Sequence, residues 1–83
     1  MIKIKFEKEK NKSIAYQNNV QIGECVFTEN NEYWNIVHTQ VNNSYRGKGI
    51  ARELVEIVIK EAKLHNKKII ADCSYAKKIL ERQ

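Results

Sequence analysis

The segment Tyr45-Arg46-Gly47-Lys48-Gly49-Ile50-Ala51 joins residue types that can hold an anion. Glycine lets the backbone approach a charged group closely and take up positive φ. Arg46, Lys48 and Arg52 add full positive charges around that turn. A helix beginning here contributes unpaired N–H groups and about half a positive charge at its end. The ligand chemistry implied is a phosphate. Two further side chains carry reactive groups. His38 carries an imidazole, a side chain that can take a proton as a general base. Cys73 lies between an apolar run and a helical one, where a thiol close to a helix N-terminus can become a nucleophile.

These residues need elements to position them. Ile2, Ile4 and Phe6 alternate with Lys3, Lys5 and Glu7, the two-residue period of a half-buried strand. Glu9-Lys10-Asn11-Lys12 reads as a polar turn, Ser13 to Gln17 as a short second strand, and Asn18-Asn19 as a tight hairpin turn. Val20 to Thr28 makes a third strand, with Gly23 a bulge or a point of close approach. Asn30-Asn31 turns the chain into a long fourth strand, Glu32 to Val41, whose strict alternation puts His38 on the face of Trp34 and Ile36. The period then becomes helical from Ala51 to His65, with Ile50, Leu54, Ile57 and Val58 as the apolar stripe and Arg52, Glu53, Glu56, Lys60 and Lys63 on the wet face. Asn66 and Lys67 end that helix, Lys68 to Asp72 is a fifth strand, and Ser74 caps a last helix from Tyr75 to about Glu81. The order β-β-β-β-α-β-α predicts an α+β fold: an antiparallel meander, then a crossover that sets the fourth and fifth strands parallel and the helix across the sheet.

Eighty-three residues suit one domain, 1–83, with one small core, so a ligand should lie in a shallow groove rather than an enclosed cavity. Charges interrupt every apolar stretch, and Met1-Ile2-Lys3-Ile4-Lys5 is not a signal-peptide pattern; the expectation is a soluble, cytoplasmic protein without a membrane partner. Cys25 and Cys73 show no disulfide framework, and two free thiols is the economical reading. Zinc would require Cys25, Cys73, His38 and His65 to converge from four elements without paired ligand spacing, so no metal is expected. The net charge of +5 favours anionic partners, nucleic acid or a phosphorylated cofactor. The basic residues are scattered among glutamates, which describes a solvated surface better than a binding stripe.

Two familiar phosphate loops fail at the glycines. A P-loop needs four residues between them and a following Lys-Ser/Thr. A dinucleotide fingerprint needs a third glycine where Arg52 stands, and a longer chain. Arg46-x-x-Gly49-x-Ala51 instead resembles the Q/R-x-x-G-x-G/A motif of the GNAT superfamily of acetyl-CoA-dependent N-acetyltransferases. His38-Thr39-x-Val41, Tyr45 to Ala51 and Asp72-Cys73-Ser74-Tyr75 further resemble a group of very small GNAT-like proteins. The likeness covers the C-terminal two-thirds well and the first strands loosely. It implies a minimal GNAT-like fold, a mixed and mostly antiparallel sheet of about five strands with two helices. It also implies acetyl-CoA as the cofactor and co-substrate. The pyrophosphate would sit on the amides of Arg46, Gly47, Lys48, Gly49, Ile50 and Ala51, and the pantetheine arm and acetyl carbonyl along Thr39, Gln40 and Val41.

For the chemistry, the resemblance brings Cys73 near the acetyl-sulfur end of the cofactor, as a nucleophile or as a contact; the neighbouring Asp72 opposes a thiolate there. Tyr75 would protonate the departing CoA thiolate or fill a groove wall. His38 would be the base or a satisfied groove residue, and Lys77 and Lys78 would meet CoA phosphates or face water. Ala51 replaces the commoner last glycine of the motif, a tolerated change. Full-sized members continue beyond the helix that follows the fifth strand and carry helices after the first, so the cofactor half is represented more fully than the acceptor half. The function expected is acetyl-CoA binding with acetyl transfer to an amine or protein acceptor left undefined, and no obligate partner is evident. The alternatives are a CoA-binding sensor without turnover, and a non-catalytic basic module for an acidic protein or nucleic acid. The absence of clustered aromatics on a basic face argues against single-strand binding.

Overall fold

In the computed structural model, which describes residues 1–83, the expected alternation produces β1 (Ile2–Glu7), β2 (Lys12–Gln17), β3 (Val20–Glu29) and β4 (Tyr33–Val41). Their turns form for local reasons. Asn18 and Asn19 hold φ of 50° and 67°, the left-handed pair that a two-residue hairpin requires. Asn30 Oδ1 accepts the N–H groups of Glu32 and Tyr33 at 2.8 and 2.9 Å, closing the next hairpin. Helix α1 (Ile50–Leu64) ends on His65 and on Asn66 at φ 58°, a residue type that tolerates the left-handed exit. Strand β5 (Lys68–Ala71) and helix α2 (Ser74–Glu81) complete the α+β fold.

The sheet runs in chain order, β1-β2-β3-β4-β5, antiparallel throughout except that β4 and β5 are parallel across the α1 crossover. Helices α1 and α2 touch one another and share one apolar cluster on a single sheet face. The buried side of α1 is Ile50, Leu54, Val55, Val58, Ile59 and Ala62. Each large member is worth roughly 1.5–3 kcal/mol of burial. The expected stripe was too narrow: Ile57 is only half-buried, because a helix lying across five strands buries a wide face rather than a single row. Beneath it Phe6, Phe27 and Trp34 stack, with the Phe27 and Trp34 ring centroids 4.3 Å apart. Ser13 Oγ crosses from β2 to donate to the Leu54 carbonyl at 2.8 Å, tying sheet to helix inside the core.

Gly23 is the point of close approach anticipated for it, while the bulge falls on its neighbour Ile22. The β2–β3 register shifts beside Gly23, and a Cβ on that glycine would meet Gln40 O at 3.0 Å and Val41 Cγ2 at 3.2 Å. The cap of α2 differs from expectation. Cys73, not Ser74, is the N-cap, since its carbonyl accepts the Lys77 N–H at 2.9 Å; Ser74 is the first helical residue. The chain leaves the sheet at Cys73, whose own N–H is spent on Ile36 O, so the helical bonding begins one residue earlier. No helix is long and apolar enough to cross a membrane.

Candidate functional site

A bulge in β4 opens the sheet. Val26 pairs with His38 but Phe27 pairs with Ile36, leaving Val37 without a partner on β3. An extra residue reverses the alternation from that point. Before it Trp34 and Ile36 face the helices; after it Thr39 and Val41 do. Strand β5 follows β4 only from Tyr33↔Lys68 to Ile36↔Ala71. There the Ile36 carbonyl accepts the N–H groups of both Asp72 and Cys73, at 3.0 and 3.1 Å, and the strands part. On the β3 side, Asn42 N–H donates to Ile22 O at 2.7 Å. The alternation of an antiparallel ladder then turns the N–H groups of Thr39 and Val41 the other way, into the gap.

The bulge corrects the expected position of His38. It lies on the face opposite Trp34 and Ile36, half exposed, with Nε2 at 3.1 Å from Gln40 Oε1 and 3.9 Å from Glu24 Oε2. Glu24 is itself held by Lys12 Nζ at 2.9 Å, and that hydrogen bond, with the Lys12 charge, keeps its carboxyl below the usual range.

Beyond β4 the Asn42 side chain accepts the Ser44 N–H at 2.9 Å and starts a single 3-10 turn, Asn43–Tyr45. The basic turn follows. Gly47 and Gly49 hold φ of 80° and 81°, and a Cβ on either would meet nothing within 4 Å, so glycine serves the backbone conformation rather than space. Gly49 is the N-cap of α1 and has no side chain to cap it. The N–H groups from Gly47 through Arg52 therefore have no protein acceptor. Positive-φ residues feeding an uncapped helix end form an anion-binding concavity.

The open β4 edge and the turn line one groove of about 530 Å³. Its walls are His38, Thr39, Gln40 and Val41 from β4, Tyr45, Arg46, Gly47 and Gly49 from the turn, Ile50 and Ala51 from α1, and Tyr75 from α2. The cofactor-binding residues read from the sequence are thus together, apart from Lys48, which is exposed and off the groove. Arg52 is also outside it, with Nε paired to Glu56 Oε2 at 3.2 Å, and Lys77 and Lys78 are exposed elsewhere on α2. Tyr45 is a half-buried wall not singled out among the site residues. A second hollow, of about 490 Å³, lies by Lys3, Lys5 and Tyr16 and is lined by neither thiol nor imidazole.

Cys73 is not among the residues that line the groove; it lies beside Thr39, where β4 and β5 part. Its thiol donates to Thr39 Oγ1 at 3.6 Å, and the Thr39 hydroxyl donates to Cys25 Sγ at 3.6 Å. Cys25 is buried, and burial pushes its thiol up to about 11 in spite of the Thr39 bond. The four residues weighed as zinc ligands do not meet. His38 is on the far sheet face, while His65 lies against Trp34 with ring centroids 5.1 Å apart.

The sequence pattern of the family described as GCN5-related N-acetyl-transferase matches residues 6–83. The chain belongs to this family. A GCN5-like protein of Staphylococcus aureus, solved in solution, is 34% identical, with 96% of this chain and 78% of that one covered at a TM-score of 0.73. A Bacillus anthracis protein in complex with acetyl coenzyme A, described as a candidate streptothricin acetyltransferase, is 29% identical, with 87% and 46% covered at a TM-score of 0.66. The ribosomal-protein-alanine N-acetyltransferase of Brucella melitensis shares the fold at 21% identity and a TM-score of 0.71, with 86% and 57% covered. This GCN5-related chain thus spans little more than half of the Brucella enzyme and under half of the Bacillus protein. No functionally curated protein matches it. The GCN5-related fold accounts for the element order.

Proposed function

We propose that residues 1–83 act as one minimal domain of the very small GNAT-like kind, binding acetyl-CoA and transferring its acetyl group to an amine. The observation that carries this reading is the run of unpartnered N–H groups from Gly47 to Arg52, continuous through one groove with the freed edge of β4. The turn cradles the pyrophosphate, with Arg46 supplying charge. Thr39 and Val41 offer their N–H groups to the pantetheine amide and the acetyl carbonyl, and Gln40 flanks them. A carbonyl so held is polarised where its negative charge grows during attack. The acetyl-CoA complex of the Bacillus relative supports the choice of cofactor.

The transfer runs in two displacements. Cys73, as thiolate, attacks the acetyl carbonyl; the CoA sulfur leaves and takes a proton from Tyr75, which recovers one from solvent. The acceptor amine then attacks the acetyl-cysteine, giving the amide; its proton passes to His38, and the Cys73 thiolate is released. His38, donating from Nε2 to Gln40, keeps Nδ1 as the acceptor for that proton. Titration calorimetry with acetyl-CoA tests the binding step, and absence of heat at high micromolar ligand would overturn it. Intact mass after incubation with acetyl-CoA should show one acetyl group, on Cys73. Unchanged turnover in Cys73→Ala would remove the nucleophile. Binding without product over a panel of amines would leave a sensor in place of an enzyme.

A further inference from the structure

Thr39 is the middle member of a three-residue row from three strand-derived positions: Cys25 on β3, Thr39 on β4 and Cys73 after β5. We propose that Thr39, backed by the buried thiol of Cys25, is a positioning residue that stabilises the thiolate of Cys73. The inference rests on Cys73 being the reactive thiol of the proposed transfer.

The row has a direction that can reverse. With Cys73 protonated, its S–H points to Thr39, and the Thr39 O–H points to Cys25 Sγ. When Cys73 loses its proton to solvent, the Thr39 hydroxyl turns to donate to the new thiolate. Its vacated oxygen then receives the Cys25 S–H. No bond is broken at Thr39 or Cys25; each proton stays on its own atom and only turns. A hydrogen bond to a charged acceptor is about twice as strong as a neutral one. The switch therefore favours the ionised state of Cys73 over the neutral one.

Cys25 suits the rear position because it stays protonated. It is buried, and desolvation raises its thiol to about 11. A buried group that remained ionised would repel the thiolate, whereas a neutral S–H can feed the row. Other charges near the trio are turned away or tied. The Asp72 carboxylate accepts from Asn35 Nδ2 at 3.0 Å. Glu24 and His38 lie on the opposite sheet face, with Glu24 bound to Lys12. Lys77 and Lys78 are exposed on α2, Tyr45, Arg46 and Tyr75 line the groove, and α1 turns apolar residues to the core. Thr39 is thus the hydroxyl that reaches both thiols.

The test is alkylation of Cys73 by iodoacetamide between pH 6 and 9.5, followed by peptide mass, without any CoA. In Thr39→Val, which keeps the shape and removes the hydroxyl, the rate at pH 7 should fall about fivefold while the rate at pH 9.5 stays within about twofold of wild type. Thr39→Ser should restore the wild-type profile. Cys25→Ala should slow the pH 7 rate about twofold and Cys25→Ser should not, because its hydroxyl can take the same role. Superimposable pH profiles for wild type and Thr39→Val, or an equal loss at every pH, would overturn the proposal. If Thr39→Val does not fold, equal rates in Cys25→Ala and Cys25→Ser would overturn it instead. Failure to bind acetyl-CoA would sink the transferase reading and leave this result standing.

Discussion

Asn35 and Asp72 grip each other twice at the point where β4 and β5 part: Asn35 Nδ2 donates to Asp72 Oδ2 at 3.0 Å, and Asn35 Oδ1 accepts the Asp72 N–H at 2.9 Å. The amide fits the carboxylate and backbone of one residue, so the clasp closes the last turn of the strand pair and fixes the start of the chain into α2. It also changes what Asp72 means. From the sequence its charge opposed a thiolate at Cys73; in the fold the carboxylate is engaged by a neutral donor from the neighbouring strand.

Asn35→Ala removes both bonds without leaving a charge buried, so the loss should be about 1 kcal/mol, or roughly 4–8 °C in Tm for a domain of this size. Asn35→Asp keeps the shape but faces one carboxylate with another. It should be the less stable of the two at pH 7 and regain stability as the pH is lowered through the carboxylate range. Thermal unfolding followed by circular dichroism at pH 7 and pH 4 reads both effects. An Asn35→Asp protein no less stable than Asn35→Ala at pH 7 would show that the clasp does not carry charge.

The glycines separate binding from folding. Gly49 sits at φ 81° with open space around its Cα, so Gly49→Val meets a backbone penalty of about 1–2 kcal/mol and no clash. The strain should flatten the turn and abolish acetyl-CoA heat while the protein remains folded. Gly23→Ala meets Gln40 O at 3.0 Å and Leu54 Cδ1 at 3.3 Å from its new Cβ, inside the sheet-to-helix contact. It should cost about 1–3 kcal/mol of global stability. Paired calorimetry and melting curves check this; a Gly49→Val protein that binds acetyl-CoA as well as wild type would contradict the assigned turn.

What was legible follows from locality. Alternating Ile and Lys, paired asparagines and the 3.6-residue apolar spacing after Gly49 each act within a few residues, and the structure has those elements in that order. The bulge at Val37 is not local. No glycine or proline marks it, and it exists because Trp34 and Ile36 on one side, Thr39 and Val41 on the other, all bury toward the helices. Counting back from Glu29↔Trp34 without the bulge pairs Cys25 with His38, whereas the observed partner is Thr39. That single slip hid the Cys25–Thr39–Cys73 row and misplaced the imidazole. Cys25 did carry a signal, since it lies at even spacing between Gly23 and Phe27 and so had to face the core.

His38 now makes a sharper prediction than it did as a core-facing residue. On the open face, beside Gln40 and Glu24, it can meet an acceptor amine without displacing anything from the apolar cluster. His38→Ala should leave the affinity for acetyl-CoA within about twofold and lower the rate of amine acetylation by about a hundredfold, the lower end of general-base effects. Acetylation of Cys73 itself, which needs no amine, should proceed at the wild-type rate. Single-turnover mass spectrometry separates the two steps, and an equal loss in both would remove His38 from the role of base.

Cys25 should leave its mark on the alkaline limb of stability. Its thiol is raised from an ordinary value of 9.0 to about 11 by burial. Between those values the unfolded chain gives up the Cys25 proton while the folded protein keeps it. Unfolding is then favoured, so the contribution is intact below pH 9, declines as pH rises to about 11, and is constant beyond. The full decline across that window amounts to about 2–3 kcal/mol. Tyr16, whose hydroxyl is raised by its bond to Glu7, adds to the same limb, but it is common to wild type and variant. Cys25→Ala should therefore begin less stable at pH 7, from the small cavity it leaves, and lose less between pH 9 and 11. Urea unfolding at half-unit steps of pH gives the two curves; if they run parallel, the buried thiol is not the group that holds its proton in the fold.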